Sequence, residues 1–190
     1  SKRNSISSNN IYSIAQDHDG RIWIGTYGGG LSMLPSPDSD EFITVRNNFP
    51  DYPLEVGERV RYLHCMPDGR MLVATVSGLI IFEPSDNPEL TVFNLITKEP
   101  GVRNSLGNND VIHIFTDRTG NTWLSTFGGG LNRLYLENGQ PRFDIISTQN
   151  GLSSNIVHSA VADREGKIWI ATESGLSSYD PASETVRNYT

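Results

Sequence analysis

The chain is 190 residues long and carries 15 Lys and Arg against 22 Asp and Glu, a formal net charge of −7. That balance excludes broad binding to a nucleic-acid backbone, because no surplus of cations is available to release counterions. A content of 36% hydrophobic and 19% charged residues is globular, while 18 Gly and 10 Pro exclude a long-helix protein and favour turn-rich β structure.

The opening SKRNSISSNN has charge but no apolar core, so it does not read as a signal peptide. Residues 5–34, SISSNNIYSIAQDHDGRIWIGTYGGGLSML, begin the first of four internal repeats. A β-branched strand at Ile11–Gln16 leads into the turn Asp17-His18-Asp19-Gly20, whose glycine supplies the positive φ of a short hairpin and whose leading Asp accepts turn amides. The strand Ile22–Thr26, a triple-glycine turn, the strand Leu31–Leu34 and a fourth strand at Glu41–Arg46 complete the unit. A long connection, Asn47–Glu58, follows, with Phe49 and Tyr52 between prolines.

The second unit is the divergent one. RVRYLHCMPDGRMLVATVSGLIIF, Arg59 to Phe82, keeps Asp68-Gly69, Thr75 and Gly78-Leu79 but has Met66 for the turn Asp and Leu72 for the Trp, with a fourth strand expected at Leu90–Leu95. Cys65 is the single cysteine, so no intramolecular disulfide exists. The longest apolar stretch, Met71 to Phe82, is too short and too broken to span a membrane. A second long connection, Thr97–Asn109, carries Arg103 and Asn104.

The third unit, SLGNNDVIHIFTDRTGNTWLSTFGGGLNRL at 105–134, repeats the first at an offset of 100, and its fourth strand is expected at Arg142–Ile146. The fourth unit opens with SSNIVHSAVADREGKIWIATESGLSSY, Ser153 to Tyr179, and closes with Thr185–Tyr189. Aligned on Gly20, Gly69, Gly120 and Gly166 the spacings are 49, 51 and 46, which gives approximate blades 5–46, 58–95, 105–146 and 153–190 in a single segment, 1–190. Four short antiparallel strands per unit of this length describe the blade of a β-propeller. The fold class expected is all-β: a β-propeller segment of four consecutive four-stranded antiparallel blades, part of a larger propeller. The first strands do not alternate cleanly between apolar and polar, as a blade packed on both faces would require. Trp23, Trp123 and Trp169 fill the gap between blades, and the small residues Gly25, Ala74, Ser125 and Ala171 fit where blades crowd.

These motifs resemble the two-component regulator propeller repeat found in the sensor region of bacterial hybrid two-component sensor histidine kinases. The matching positions are Asp17, Gly20, Trp23 and Thr26 with Asn9, Ile11, Gly30 and Leu31; Asp117, Gly120, Trp123 and Thr126 with Asn109, Val111, Gly130 and Leu131; and Asp163, Gly166, Trp169 and Thr172 with Asn155, Val157, Gly175 and Leu176. The resemblance implies a periplasmic, extracytoplasmic sensing segment that binds oligosaccharides without catalysis and passes the signal to a kinase. It also implies more blades than four, so packing on missing blades or homo-oligomerisation is expected at the apolar end faces. No nucleic acid and no membrane contact is expected of this segment. A polysaccharide-active propeller enzyme and a purely structural dimerisation scaffold stay open as alternatives.

Propeller ligands meet the face that gathers the fourth-to-first and second-to-third strand loops. The candidate ligand-binding residues there are Tyr27, Phe49, Tyr52, Arg103, Asn104, Phe127 and Glu173. Rings can cover the C–H faces of a sugar while amides and charges bond its hydroxyls. Gly28–Gly30 lacks the Lys-Ser/Thr and helix of a phosphate loop. Asp17-x-Asp19-Gly20 lacks the later ligands of a calcium loop. His64, His113 and His158 fall on first strands without a second ligand at metal spacing. No nucleophile–base order stands out, so no catalytic residue, cofactor or metal is expected.

Overall fold

The computed structural model describes residues 5–190; residues 1–4, which begin the polar run SKRNSISSNN, lie outside the described residues. Among the described residues the strands are β1 (Ile11–Gln16), β2 (Ile22–Thr26), β3 (Gly30–Leu34), β4 (Ile43–Thr44), β5 (Val60–Cys65), β6 (Met71–Thr75), β7 (Gly78–Phe82), β8 (Phe93–Ile96), β9 (Val111–Thr116), β10 (Thr122–Thr126), β11 (Leu131–Glu137), β12 (Gln140–Ile146), β13 (Val157–Ala162), β14 (Ile168–Thr172), β15 (Gly175–Asp180) and β16 (Thr185–Tyr189). A single helical turn, α1 (Leu54–Gly57), lies in the connection before β5. Consecutive strands pair into four four-stranded sheets, β1-β2-β3-β4, β5-β6-β7-β8, β9-β10-β11-β12 and β13-β14-β15-β16. The chain is therefore an all-β propeller segment of four antiparallel blades. The blades group two by two into compact units divided between Leu95 and Ile96.

The fourth strands depart most from the sequence expectation. β4 keeps only Ile43–Thr44, because the Asn47 and Asn48 amides both turn back onto the Thr44 carbonyl and end the ladder. β8 starts at Phe93, since Pro88–Leu90 is a 3-10 turn capped by the Asn87 side chain. A fourth strand has one sheet neighbour, so the ladder constrains its length least.

Each unit builds a core between its two blades. In unit 1 the Trp23 ring on β2 meets Phe82 on β7 edge-on at 4.8 Å and Phe49 at 5.8 Å. A Cβ on Gly25 would lie 2.5 Å from Cγ1 of Val60, so the small residue expected at that position is required by the neighbouring blade. In unit 2 Trp123 meets Tyr179 of β15 at 6.1 Å. Trp23 and Trp123 are each 1% exposed. Trp169 occupies the same repeat position but is only half-buried, against Tyr189 of its own blade at 5.5 Å. β1, like β13 with its exposed Val161, departs from the expectation that first strands are partly buried on both faces. Ile11, Tyr12 and Ile14 are exposed, and the buried residue is Ser13, whose hydroxyl accepts the Leu63 amide at 2.9 Å.

The turn aspartates do two jobs. One carboxylate oxygen caps the turn: Asp17 Oδ1 accepts the amides of Asp19 and Arg21, Asp117 Oδ1 those of Thr119 and Asn121, and Asp163 Oδ1 those of Glu165 and Lys167. The other oxygen accepts the indole N–H of the tryptophan six residues on, at 2.8 Å from Trp23, 2.8 Å from Trp123 and 2.9 Å from Trp169. Burial pushes the carboxyls of Asp17 and Asp117 up, but the indole donors and the turn donors outweigh it and hold both below the ordinary carboxylate value. At Asp163 the Trp169 indole is itself the largest influence and lowers the value. Burial also lowers His113.

A group with a depressed folded-state pKa stabilises the fold above its unfolded value and loses that contribution as pH falls. Thermal unfolding should therefore show a shallow loss beginning near pH 6.5, from His113, and a steeper one below about pH 4, from the three aspartates. A melting temperature that stays flat from pH 7 to pH 3 would contradict the assignment.

Candidate ligand-binding face

At one end of each blade the turn between second and third strands meets the loop that enters a first strand. In unit 1 the amides of Gly28 and Gly30 both donate to the Glu58 carbonyl, at 3.0 and 2.9 Å. In unit 2 the amides of Gly128 and Gly130 both donate to the Asn155 carbonyl, at 3.1 and 2.9 Å. On the other side of each turn the incoming loop of its own blade runs against the glycines. A Cβ on Gly129 would lie 2.3 Å from the Gly107 carbonyl carbon, and one on Gly29 would lie 2.9 Å from that of Ser7. These are close backbone approaches that only glycine permits. With the amides already donating within the fold, the triple glycines offer no cradle for a phosphate.

A buried polar side chain on the third strand fastens the incoming loop. Ser32 accepts the Ser7 amide at 2.9 Å, and Ser177 shares its hydroxyl with that of Ser153 at 2.9 Å. In the third blade the loop residue is Gly107, and the longer Asn132 replaces serine. Its Oδ1 accepts the Gly107 amide at 2.8 Å, while its Nδ2 donates to the carbonyls of Gly129 and Gly130 at 3.1 and 3.3 Å.

The first and second strands of every blade slip register once, at Tyr12, Arg61, Ile112 and His158. A bulge re-aims the side chain it carries and is over-represented beside functional sites. At Tyr12 and at His158 the bulge residue meets the residue that follows the recurrent threonine. In unit 1 the Tyr12 ring stacks on Tyr27 at 4.9 Å and 25°, and the guanidinium carbons of Arg59 and Arg61 lie 6.0 and 5.9 Å from the Tyr27 centroid. Tyr12 is 52% exposed, so its ring is a platform open to solvent. In unit 2 the bulge residue His158 bonds Glu173 through Nε2 and Oε2 at 2.8 Å, and Phe127 is 47% exposed.

The sequence candidates therefore separate. Tyr27 joins an exposed cluster; Phe127 and Glu173 occupy the same repeat position on unit 2. Phe49 and Tyr52 are corrected: both rings are buried in the unit 1 core, edge-on to Phe93 at 5.7 and 5.1 Å. The Tyr52 hydroxyl donates to the Gly57 carbonyl at 2.7 Å, and burial pushes its pKa far up. That connection packs back on the blade, so its aromatics close the core instead of meeting a ligand. Asn104 is also committed to the fold. It holds φ +61, donates its amide to the Tyr135 hydroxyl and accepts the Phe143 amide on its carbonyl.

Arg103 is exposed and makes no hydrogen bond or ion pair among the described residues. With Lys98, Gln149, Asn150 and Asn155 it lines a groove of about 640 Å³ beside Gly107, Gly128 and Gly129. Tyr12 and this groove escaped the sequence reading. A bulge is a property of strand register and a groove a property of loop packing, neither of which a residue type announces.

A family model described as "Two component regulator propeller" matches residues 5–28 and 151–174. Over 189 residues the chain is 22% identical to "Histidine kinase P4" of Formosa agariphila, a match spanning 98% of this chain and 13% of that protein. The extracellular domain of a hybrid two-component system from B. thetaiotaomicron superposes with a TM-score of 0.78 at 25% identity, over 97% of this chain and 25% of that one. Virginiamycin B lyase from Staphylococcus aureus superposes at 0.63 with 15% identity, over 95% of this chain and 55% of that one, a likeness of fold alone. The chain thus spans 13% of the length of that histidine kinase and 25% of that extracellular domain.

Proposed function

We propose that this chain, which carries two-component regulator propeller repeats, is an extracytoplasmic sensing segment of a two-component sensor that binds oligosaccharides without turning them over. The stack of the exposed Tyr12 ring on the half-buried Tyr27, with Arg59 beside it, carries this reading. A flat ring open to solvent accepts the apolar face of a sugar, and a guanidinium at its rim bonds hydroxyls or a charged substituent. Binding signals only if the ligand contacts two arrangements of the sensor differently, and bulged loop-end residues are placed to move with their blades. The half-buried Trp169 adds a second element. Its counterparts Trp23 and Trp123 are covered by the following blade, so a further blade of the same kind belongs against Trp169, and Tyr189 and Leu176 lie exposed on the same blade.

Calorimetric titration of the chain with a panel of neutral and acidic oligosaccharides tests the reading. An aromatic contact is worth about 0.5–1.5 kcal/mol, so Tyr12→Ala should weaken the binding partner found by up to about tenfold with the melting temperature little changed. Silence across the panel, or release of reducing ends from labelled glycans, would sink it.

A further inference from the structure

We propose that the groove beside the triple-glycine turn of unit 2 takes an anionic group of the oligosaccharide, a carboxylate or a sulfate ester. The inference rests on the oligosaccharide-sensing reading and sharpens it to an acidic saccharide.

The groove is rich in donors and poor in acceptors. Lys98 and Arg103 line it from the loop before β9; both are exposed, and neither side chain has an ion-pair partner among the described residues. Gln149 and Asn150 line it from the loop after β12. The Asn150 Oδ1 is occupied, accepting the Ser147 amide at 2.9 Å, and the Asn155 Oδ1 accepts the Thr148 amide at 2.8 Å. Each asparagine so fixed is left with its Nδ2 donor to offer. The carboxylate on the lining, Asp144, is held by Arg133 in an ion pair at 2.5 Å.

The glycine backbone on the lining adds no free donor. The Gly107 amide goes to Asn132, that of Gly128 to Asn155, and that of Gly129 to the Thr126 hydroxyl at 3.0 Å. What remains for a ligand is two unpaired cations and several amide N–H groups, against the Gln149 carbonyl oxygen and the second oxygen of the Arg133-neutralised Asp144, a surplus of positive charge and donors that complements an acceptor-rich, negatively charged group. This local surplus of positive charge stands out on a chain whose formal net charge is −7. The volume of about 640 Å³ lies within the range of small-molecule sites. The absence of side chains on Gly107, Gly128 and Gly129 lets a ring approach the backbone closely.

The test is titration of the full 190-residue chain with tetragalacturonate, with its carboxyl-reduced counterpart, with a sulfated galactan tetrasaccharide and with inorganic sulfate. The expected result is binding of a charged tetrasaccharide at least tenfold tighter than the reduced one, with affinity falling as salt rises. The double variant Lys98→Gln/Arg103→Gln should remove both the tenfold preference and the salt dependence while leaving the melting temperature unchanged, and Arg103→Lys should retain part of the preference. Equal affinity for charged and reduced tetrasaccharides would overturn the groove's assignment and leave oligosaccharide sensing standing, as would wild-type binding by the double variant. Capture of inorganic sulfate as tightly as of the charged tetrasaccharides would make the groove a plain anion site and overturn the saccharide. No binding by any tetrasaccharide would remove the sensing reading together with the groove.

Discussion

Replacing Trp123 with Leu will destabilise the chain by about 3 kcal/mol, and replacing Asp117 with Met by about 2 kcal/mol; the double variant will cost at least about 1 kcal/mol less than the two together. The first change shrinks a ring that is 1% exposed between the blades of unit 2 and strips the indole donor from Asp117 Oδ2. The second removes the acceptor for that indole and for the Thr119 and Asn121 amides. Each single change therefore leaves a buried or half-buried polar partner without that bond, a cost added to any cavity left behind. Making both changes removes donor and acceptor together.

The second blade has already performed this double replacement. There Met66 stands for the turn Asp and Leu72 for the Trp, and the pair is exchanged as a unit. The turn survives, with the Met66 amide bonding the Arg70 carbonyl at 2.8 Å and the Gly69 amide bonding the Met66 carbonyl at 2.9 Å. The carboxylate has moved two residues on, to Asp68, which accepts the Arg70 amide at 3.1 Å and the Arg70 guanidinium at 2.9 Å. Leu72 is fully buried with no polar atom to satisfy. Denaturant unfolding of the four proteins measures the coupling, and additivity within about 0.5 kcal/mol would show that Asp and Trp recur for separate reasons.

This pairing marks the boundary of what the sequence made legible. The period near fifty residues, the four strands per unit and the tryptophans between blades follow from residue types at fixed spacing, and the sheets have that order. The indole-to-carboxylate bond does not, because Asp17 and Trp23 each had a sufficient local explanation, a turn and a core. The candidate site divides the same way. Tyr27 and Arg103 were legible as an aromatic and a cation on loop-end positions. Phe49 and Tyr52 looked equivalent, but nothing in the residue types says that a proline-bounded loop folds inward. Tyr12 lies on a strand, where alternation assigns faces until a bulge shifts the register.

Asn132→Ala should be the most damaging polar substitution in unit 2, at about 3 kcal/mol, because it leaves the buried Gly107 amide and the carbonyls of Gly129 and Gly130 without their side-chain partner. The other blades suggest a compensated alternative. Where the loop residue is serine, as at Ser7 and Ser153, the strand residue is also serine, at Ser32 and Ser177, and two hydroxyls bridge the gap that one long amide bridges here. Gly107→Ser alone should fail, since its Cβ would meet the Gly129 carbonyl oxygen at 2.5 Å and Asn132 Oδ1 at 2.9 Å. Asn132→Ser alone opens the space but shortens the reach. The double variant Gly107→Ser/Asn132→Ser removes the clash with the amide and supplies the second hydroxyl, with Thr126 as neighbour in the way Thr172 neighbours Ser153. The loop must still open by at least about half an ångström against the Gly129 carbonyl, so recovery should be partial, at least about 1 kcal/mol better than additivity. Because the same contact holds Gly107 against the triple-glycine turn, Asn132→Ala should also weaken any ligand of the adjoining groove, and the double variant should restore it in step with stability. Stability regained without binding would separate the groove from the loop that frames it.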